Sequence, residues 1–145
     1  MKKIDKNLYL SNSDDALNIY TLWKLNIKYA IDCTKNNYHI KDPTIKVIQF
    51  PSSDPPSEGD VRFIIRNIRG FLLVINKLIA DGHNILIFCN KGRKRSVTLV
   101  IAYLMNKFRI SSELALRIIQ YIHYEAFLNA SYNSYFIINE FNRIL

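Results

Sequence analysis

At 145 residues, 49% of them hydrophobic, the chain suits one domain with a sizeable core, and its sparse glycine and proline exclude a disordered or low-complexity protein. A formal net charge of +8 points to anionic partners, among them phosphoproteins, acidic lipid and nucleic acid. No apolar run nears the ~20 residues that span a bilayer, and 2 cysteines make no disulfide framework.

Met1 to Lys6 lacks a signal-peptide hydrophobic stretch, so a cytoplasmic, reducing compartment is expected. The wealth of Ile, Asn, Lys and Tyr is the composition of an AT-rich genome, viral ones included. Ile4, Leu8, Tyr9 and Leu10 read as a short strand pair or an extended entry. Ser13 is placed as a helix N-cap with Asp14 and Asp15 in the first turn. Ala16, Leu17, Tyr20, Leu22, Trp23 and Leu25 follow at near-helical spacing and predict one helix. Lys28 to Thr34 reads as a buried strand, with Cys33 inside it as core packing. Asn36 to Pro43 is turn-like, and Ile45, Val47, Ile48 and Phe50 mark another strand.

Residues 51–60 then form a proline-stiffened loop carrying three acids: Asp54, Glu58 and Asp60. Asp60 fits the N-cap of a long helix over 61–80. That helix has an apolar stripe from Val61 through Ile64, Ile68, Leu72 and Ile75 to Ile79. Arg62, Arg66 and Arg69 fall on another face, which reads as solvated before it reads as a docking strip for acidic partners. Gly82 is the expected left-handed cap. Ile85 to Phe88 is a buried strand ending at Cys89, and six polar or glycine residues, Asn90 to Arg95, lead into a central helix over 96–108. Ser111 or Ser112 caps a helix over 113–124. Residues 128–131 break the chain before a last helix over 132–145. His39, His83 and His123 show no metal-ligand spacing, and no Walker loop or dinucleotide fingerprint occurs, so neither metal nor cofactor is expected.

The chemistry concentrates between Cys89 and Ser96. A thiol ionises near pH 8.5 and attacks poorly until it does. A helix N-terminus favours the thiolate, and its unpaired N–H groups cradle phosphate. Gly92 lets the loop curl, Arg95 offers a planar fork for two phosphate oxygens, and Ser96 places a hydroxyl beside the sulfur. These are the parts of a nucleophilic phosphate site. Asn90, Lys91, Gly92, Arg93 and Lys94, with Arg95, form its phosphate-binding wall.

Cys-Asn-Lys-Gly-Arg-Lys-Arg-Ser resembles the signature loop of cysteine-dependent protein tyrosine phosphatases, and most closely that of the small dual-specificity phosphatases. The resemblance implies that Cys89 attacks phosphorus, Arg95 binds the phosphoryl group and Ser96 assists breakdown of a phosphocysteine. Ester cleavage also needs a proton for the leaving oxygen. Pro51-Ser52-Ser53-Asp54 resembles the family's Pro-x-x-Asp general-acid segment, which selects Asp54 over Glu58 and Asp60. Leu8 to Asn12 and the segment after Asn129 resemble the family's opening and closing motifs. The implied fold is a single α/β domain over 1–145, with a mostly parallel four- or five-stranded sheet and helices on both faces. The active loop would sit at the C-terminal end of the 85–88 strand. The implied substrates are phosphotyrosine and phosphoserine or phosphothreonine in proteins.

Two other readings stand beside this one. Lys91, Arg93 and Lys94 would suit a poly-anionic substrate, either a phosphoinositide or an RNA 5′-phosphate, with nucleic acid the less favoured. The family usually has His before the nucleophile; Phe88 stands there instead, which suits a catalytically weak phosphate-binding module.

Overall fold

The computed structural model describes residues 1–145. Its frame is a five-stranded sheet built from β1 (Lys2–Asp5), β2 (Leu8–Ser11), β3 (Ile27–Asp32), β4 (Lys46–Gln49) and β5 (Asn84–Phe88), in the order β1-β2-β5-β3-β4. β1 pairs antiparallel with β2 at the edge; the other three pairings are parallel. The sheet is thus mostly parallel, with helices on both faces as expected.

β5 lies at the centre, with β2 and β3 as its neighbours, and its last four residues are fully buried. That burial on both faces explains an unbroken apolar run where a half-exposed strand would alternate. Successive side chains divide between two cores. Ile85 and Ile87 join a cluster of 28 buried residues beneath α3 (Glu58–Ala80), α4 (Arg95–Phe108), α5 (Ser112–Ile122) and α6 (Tyr132–Ile144). Leu86 and Phe88 join a cluster of 8 on the other face, covered by α1 (Ser13–Ala16) and α2 (Ile19–Lys24). α4 is buried from Ser96 to Met105, which is why its sequence is apolar nearly all round.

Several boundaries differ from the sequence reading. The first predicted helix is two, because Asn18 turns its side chain onto the N–H groups of Tyr20 and Thr21 and starts α2 afresh. Asn12 caps α1, where Ser13 was expected. Ser57 caps α3, and Asp60 is its reciprocal partner three residues on, so the helix begins earlier than 61. Cys33 lies one residue past β3 but is buried in the larger core, as a packing residue would be. α5 ends at Ile122, with His123 as its C-cap. Gly82 does sit left-handed (φ 90°), and the N–H groups of Gly82 and His83 close on the carbonyls of Ile79 and Leu78.

Candidate active site

Because four strands run parallel, the turns that follow them collect at one edge of the sheet. Ligands settle at that edge in such sheets. Cys89 leaves the end of β5 with 2% of its surface exposed, and its Sγ stands 3.0 Å from Ser96 Oγ. Ser96 is wholly buried in the first turn of α4, so its hydroxyl is committed to the sulfur. No side chain caps α4. Its first N–H groups therefore remain for an anion.

A cleft of about 150 Å³ opens over the sulfur, and Asp54, Cys89, Lys91, Arg93, Lys94 and Arg95 all line it. Leu128 and Asn129 from the α5–α6 connection complete the wall. Only Asn129 carried a sequence signal, through the closing motif. Three predicted loop residues do not face this cleft. Ser96 lies behind the sulfur. Asn90 turns away, accepting at its Oδ1 a hydrogen bond of 2.6 Å from the Tyr38 hydroxyl. Gly92 is pressed against Ser11: a Cβ there would stand 2.9 Å from the Ser11 carbonyl carbon and oxygen, and its φ of 69° lies in the left-handed region that favours glycine.

Each wall of the loop is tied to a different part of the chain. Asn90 O accepts from the Ser13 N–H at 3.2 Å. His123 Nε2–H donates to the Gly92 carbonyl at 3.0 Å, which fixes the ring's tautomer. Glu125 pairs with Arg93 at 2.5 Å, and the Phe127 N–H donates to the Arg93 carbonyl at 2.7 Å. Arg95 Nη1 donates to the Ser52 carbonyl at 3.0 Å, so the guanidinium spans the β5–α4 and β4–α3 loops. Asp54 stands two residues further along that second loop, 3.6 Å from Lys94 Nζ.

The rival groups are disposed differently. Asp60 is 5% exposed and accepts the Ser53 and Ser57 N–H groups at 2.9 and 3.0 Å and Lys35 Nζ at 3.0 Å. Burial alone would raise its pKa, but those donors outweigh it and hold the carboxyl well below the usual range, so it carries no proton to give. Glu58 is exposed on the first turn of α3, outside the cleft. Burial pushes the Cys33 thiol well up, Cys89 and Asp32 add to this, and Arg95 opposes them. Cys33 stays a neutral thiol. Phe88 is fully buried in the smaller core with its ring 6.0 Å from that of Tyr38, so it points across the sheet and not into the cleft.

The family model for the dual specificity phosphatase catalytic domain matches residues 8–143. Dual specificity protein phosphatase 9 of Homo sapiens is 35% identical over 107 residues, covering 72% of this chain and 27% of that protein. A variola virus dual specificity protein phosphatase is 27% identical over 114 residues, covering 79% of this chain and 64% of its own length. The chain thus spans from 27% to 64% of the length of these two relatives. Among solved structures, human DUSP28 superposes with a TM-score of 0.86 at 15% identity, over 99% of this chain and 93% of that one. The human tyrosine phosphatase-like serine/threonine/tyrosine-interacting protein gives 0.84 at 21% identity, over 99% and 96%. At such identities the likeness establishes the fold.

Proposed function

The chain belongs to the dual specificity phosphatase family, and from that premise we propose that it hydrolyses phosphotyrosine and phosphoserine or phosphothreonine in proteins through a phosphocysteine intermediate. The observation that carries this reading is the convergence of Cys89, Arg95 and Asp54 on one small cleft at the end of the central strand.

In the proposed reaction the phosphoryl group sits on the loop N–H groups and the Arg95 guanidinium. The Cys89 thiolate attacks phosphorus in line and forms the S–P bond. Asp54 gives its proton to the leaving oxygen as the P–O bond breaks. The Asp54 carboxylate then takes a proton from water, which attacks phosphorus; the S–P bond breaks, and Ser96 donates a hydrogen bond to the departing thiolate. Arg95 and the loop amides are aimed at the charge that builds on the phosphoryl oxygens, and such prearranged donors commonly supply the largest part of a rate enhancement.

Substrate class follows from which cations are spoken for. Arg93 is paired with Glu125, and Lys94 with Asp54. Lys91 is left as the exposed, unpaired cation of the wall. One spare charge suits a single phosphate monoester better than a phosphoinositide or an RNA 5′-triphosphate. Rates on phosphopeptide, inositol phosphate and RNA triphosphate test this: preference for the poly-anions would overturn the assignment to proteins.

The binding-module reading rested on Phe88. Its ring packs across the sheet, and Tyr38 holds Asn90 from that same side, so the loop is tethered without a histidine. Hydrolysis of 4-nitrophenyl phosphate by the wild type and by Cys89→Ser decides the matter. Turnover that vanishes in the variant is expected; background rates in both would leave only phosphate binding.

A further inference from the structure

The segment from Pro51 to Ser57 carries Asp54, and its composition limits how it can be held. Three of its seven residues are proline and have no N–H. The amides left are those of Ser52, Ser53, Asp54 and Ser57. Ser52 donates to the Cys33 carbonyl at 3.3 Å. Ser53 and Ser57 both donate to one atom, Asp60 Oδ2, at 2.9 and 3.0 Å. The two ends of the stretch that contains Asp54 therefore close on a single carboxylate oxygen. Its other oxygen is held by Lys35 at 3.0 Å, and the side chain is almost fully buried.

A helix cap needs only part of this. The capping pair with Ser57 accounts for one of the two backbone contacts. The bond to Ser53, seven residues back, adds nothing to α3 and falls on the residue next to Asp54. On the far side, Asn133 at the start of α6 donates to the Pro56 carbonyl at 2.9 Å, which braces the loop from outside.

We propose that Asp60 is a positioning residue for the general acid: it closes the 53–57 loop so that the Asp54 carboxyl is held over the scissile ester. The inference rests on the reading of Asp54 given above. Asp60 itself never meets substrate, since it does not line the cleft.

A residue that acts only through the general acid leaves a signature in the choice of leaving group. Phenyl phosphate needs its oxygen protonated as it departs; 4-nitrophenyl phosphate departs largely unaided. Because kcat also contains phosphoenzyme breakdown, which is common to both esters, the readout is kcat/KM. Asp60→Asn should lower it for phenyl phosphate by roughly tenfold to a hundredfold, the scale of a misplaced catalytic group, while for 4-nitrophenyl phosphate it changes by no more than about threefold. Asp54→Asn should show the same split, more strongly. The double variant should be no slower than Asp54→Asn alone, because both changes act on one step. Equal losses on the two esters for Asp60→Asn, or additive losses in the double variant, would reduce Asp60 to a structural cap. If Asp54→Asn shows no split, it is the assignment of Asp54 that fails. Should Asp60→Asn not fold, Lys35→Met, which frees the other oxygen from an exposed position, should give a smaller split of the same kind; equal rates on both esters there would overturn the proposal.

Discussion

Ser96 spends a fully buried hydroxyl on one contact, the Cys89 sulfur at 3.0 Å. On the proposed mechanism that bond matters most when the thiolate is the leaving group. Ser96→Ala should therefore slow phosphoenzyme breakdown by about 10- to 100-fold while leaving its formation nearly unchanged. Rapid mixing with 4-nitrophenyl phosphate should then show a burst of nitrophenol of one equivalent. Gly92 makes a different demand. Its left-handed φ and the Ser11 backbone at 2.9 Å leave no room for a methyl group. Gly92→Ala should cost about 1–3 kcal/mol in urea unfolding and, on the proposed function, reduce kcat/KM at least as sharply, since the strain falls on the loop proposed to bind phosphate. Cys89, Gly92, Arg95 and Ser96 were legible in the sequence because a turn between strand and helix brings near neighbours together. Tyr38, Ser52 and His123 were not. They reach the loop across 52, 43 and 31 residues, and no local pattern records that distance.

Among the elements, those with one strong pattern were read correctly and those with competing signals were not. β5 and α4 declared themselves through unbroken apolar runs, which only full burial explains. α1 and α2 share apolar spacing that runs straight across their junction. Periodicity sees one helix there, while the Asn18 side chain, competing for backbone N–H groups, makes two. At the start of α3 both Ser57 and Asp60 are good caps. The pair three residues apart is the stronger signal, and Asp60 alone was the weaker reading of it. α6 illustrates how an exposed-looking helix is anchored. Tyr132, Tyr135 and Phe136 face solvent, yet Phe141 is wholly buried among α3 and α4 residues. Phe141→Ala should cost about 3–5 kcal/mol in urea unfolding. Because the same helix supplies Asn133 to the Pro56 carbonyl, the loss should also loosen the acid loop.

At the scale of the whole molecule, acid should unfold the chain through a few defined carboxylates. Burial works to raise the Asp5 pKa, but hydrogen bonds from Lys107, the Lys6 backbone and Tyr103 together hold it low. Asp60 is held low by the donors already described. A carboxyl whose pKa is lower folded than unfolded contributes stability above the unfolded value, about 3.9 for aspartate, and loses it as pH falls through the folded one. Urea midpoints should therefore be steady above about pH 5 and fall steadily below about pH 4. Asp60→Asn should flatten part of that decline; an unchanged slope would assign the acid sensitivity elsewhere.

The two faces of the sheet are unequal, with 28 buried residues on one side and 8 on the other, and the smaller set includes Phe88, next in the chain to Cys89. Tyr38, which steadies Asn90, packs against that smaller set. Thinly covered regions open before a protein melts as a whole. On warming, catalysis should accordingly fail some degrees below the temperature at which the helical circular dichroism collapses, and cooling from that interval should restore it. On the proposed function, working temperature would then be set by ten residues of helix in α1 and α2, far fewer than those that set survival of the fold.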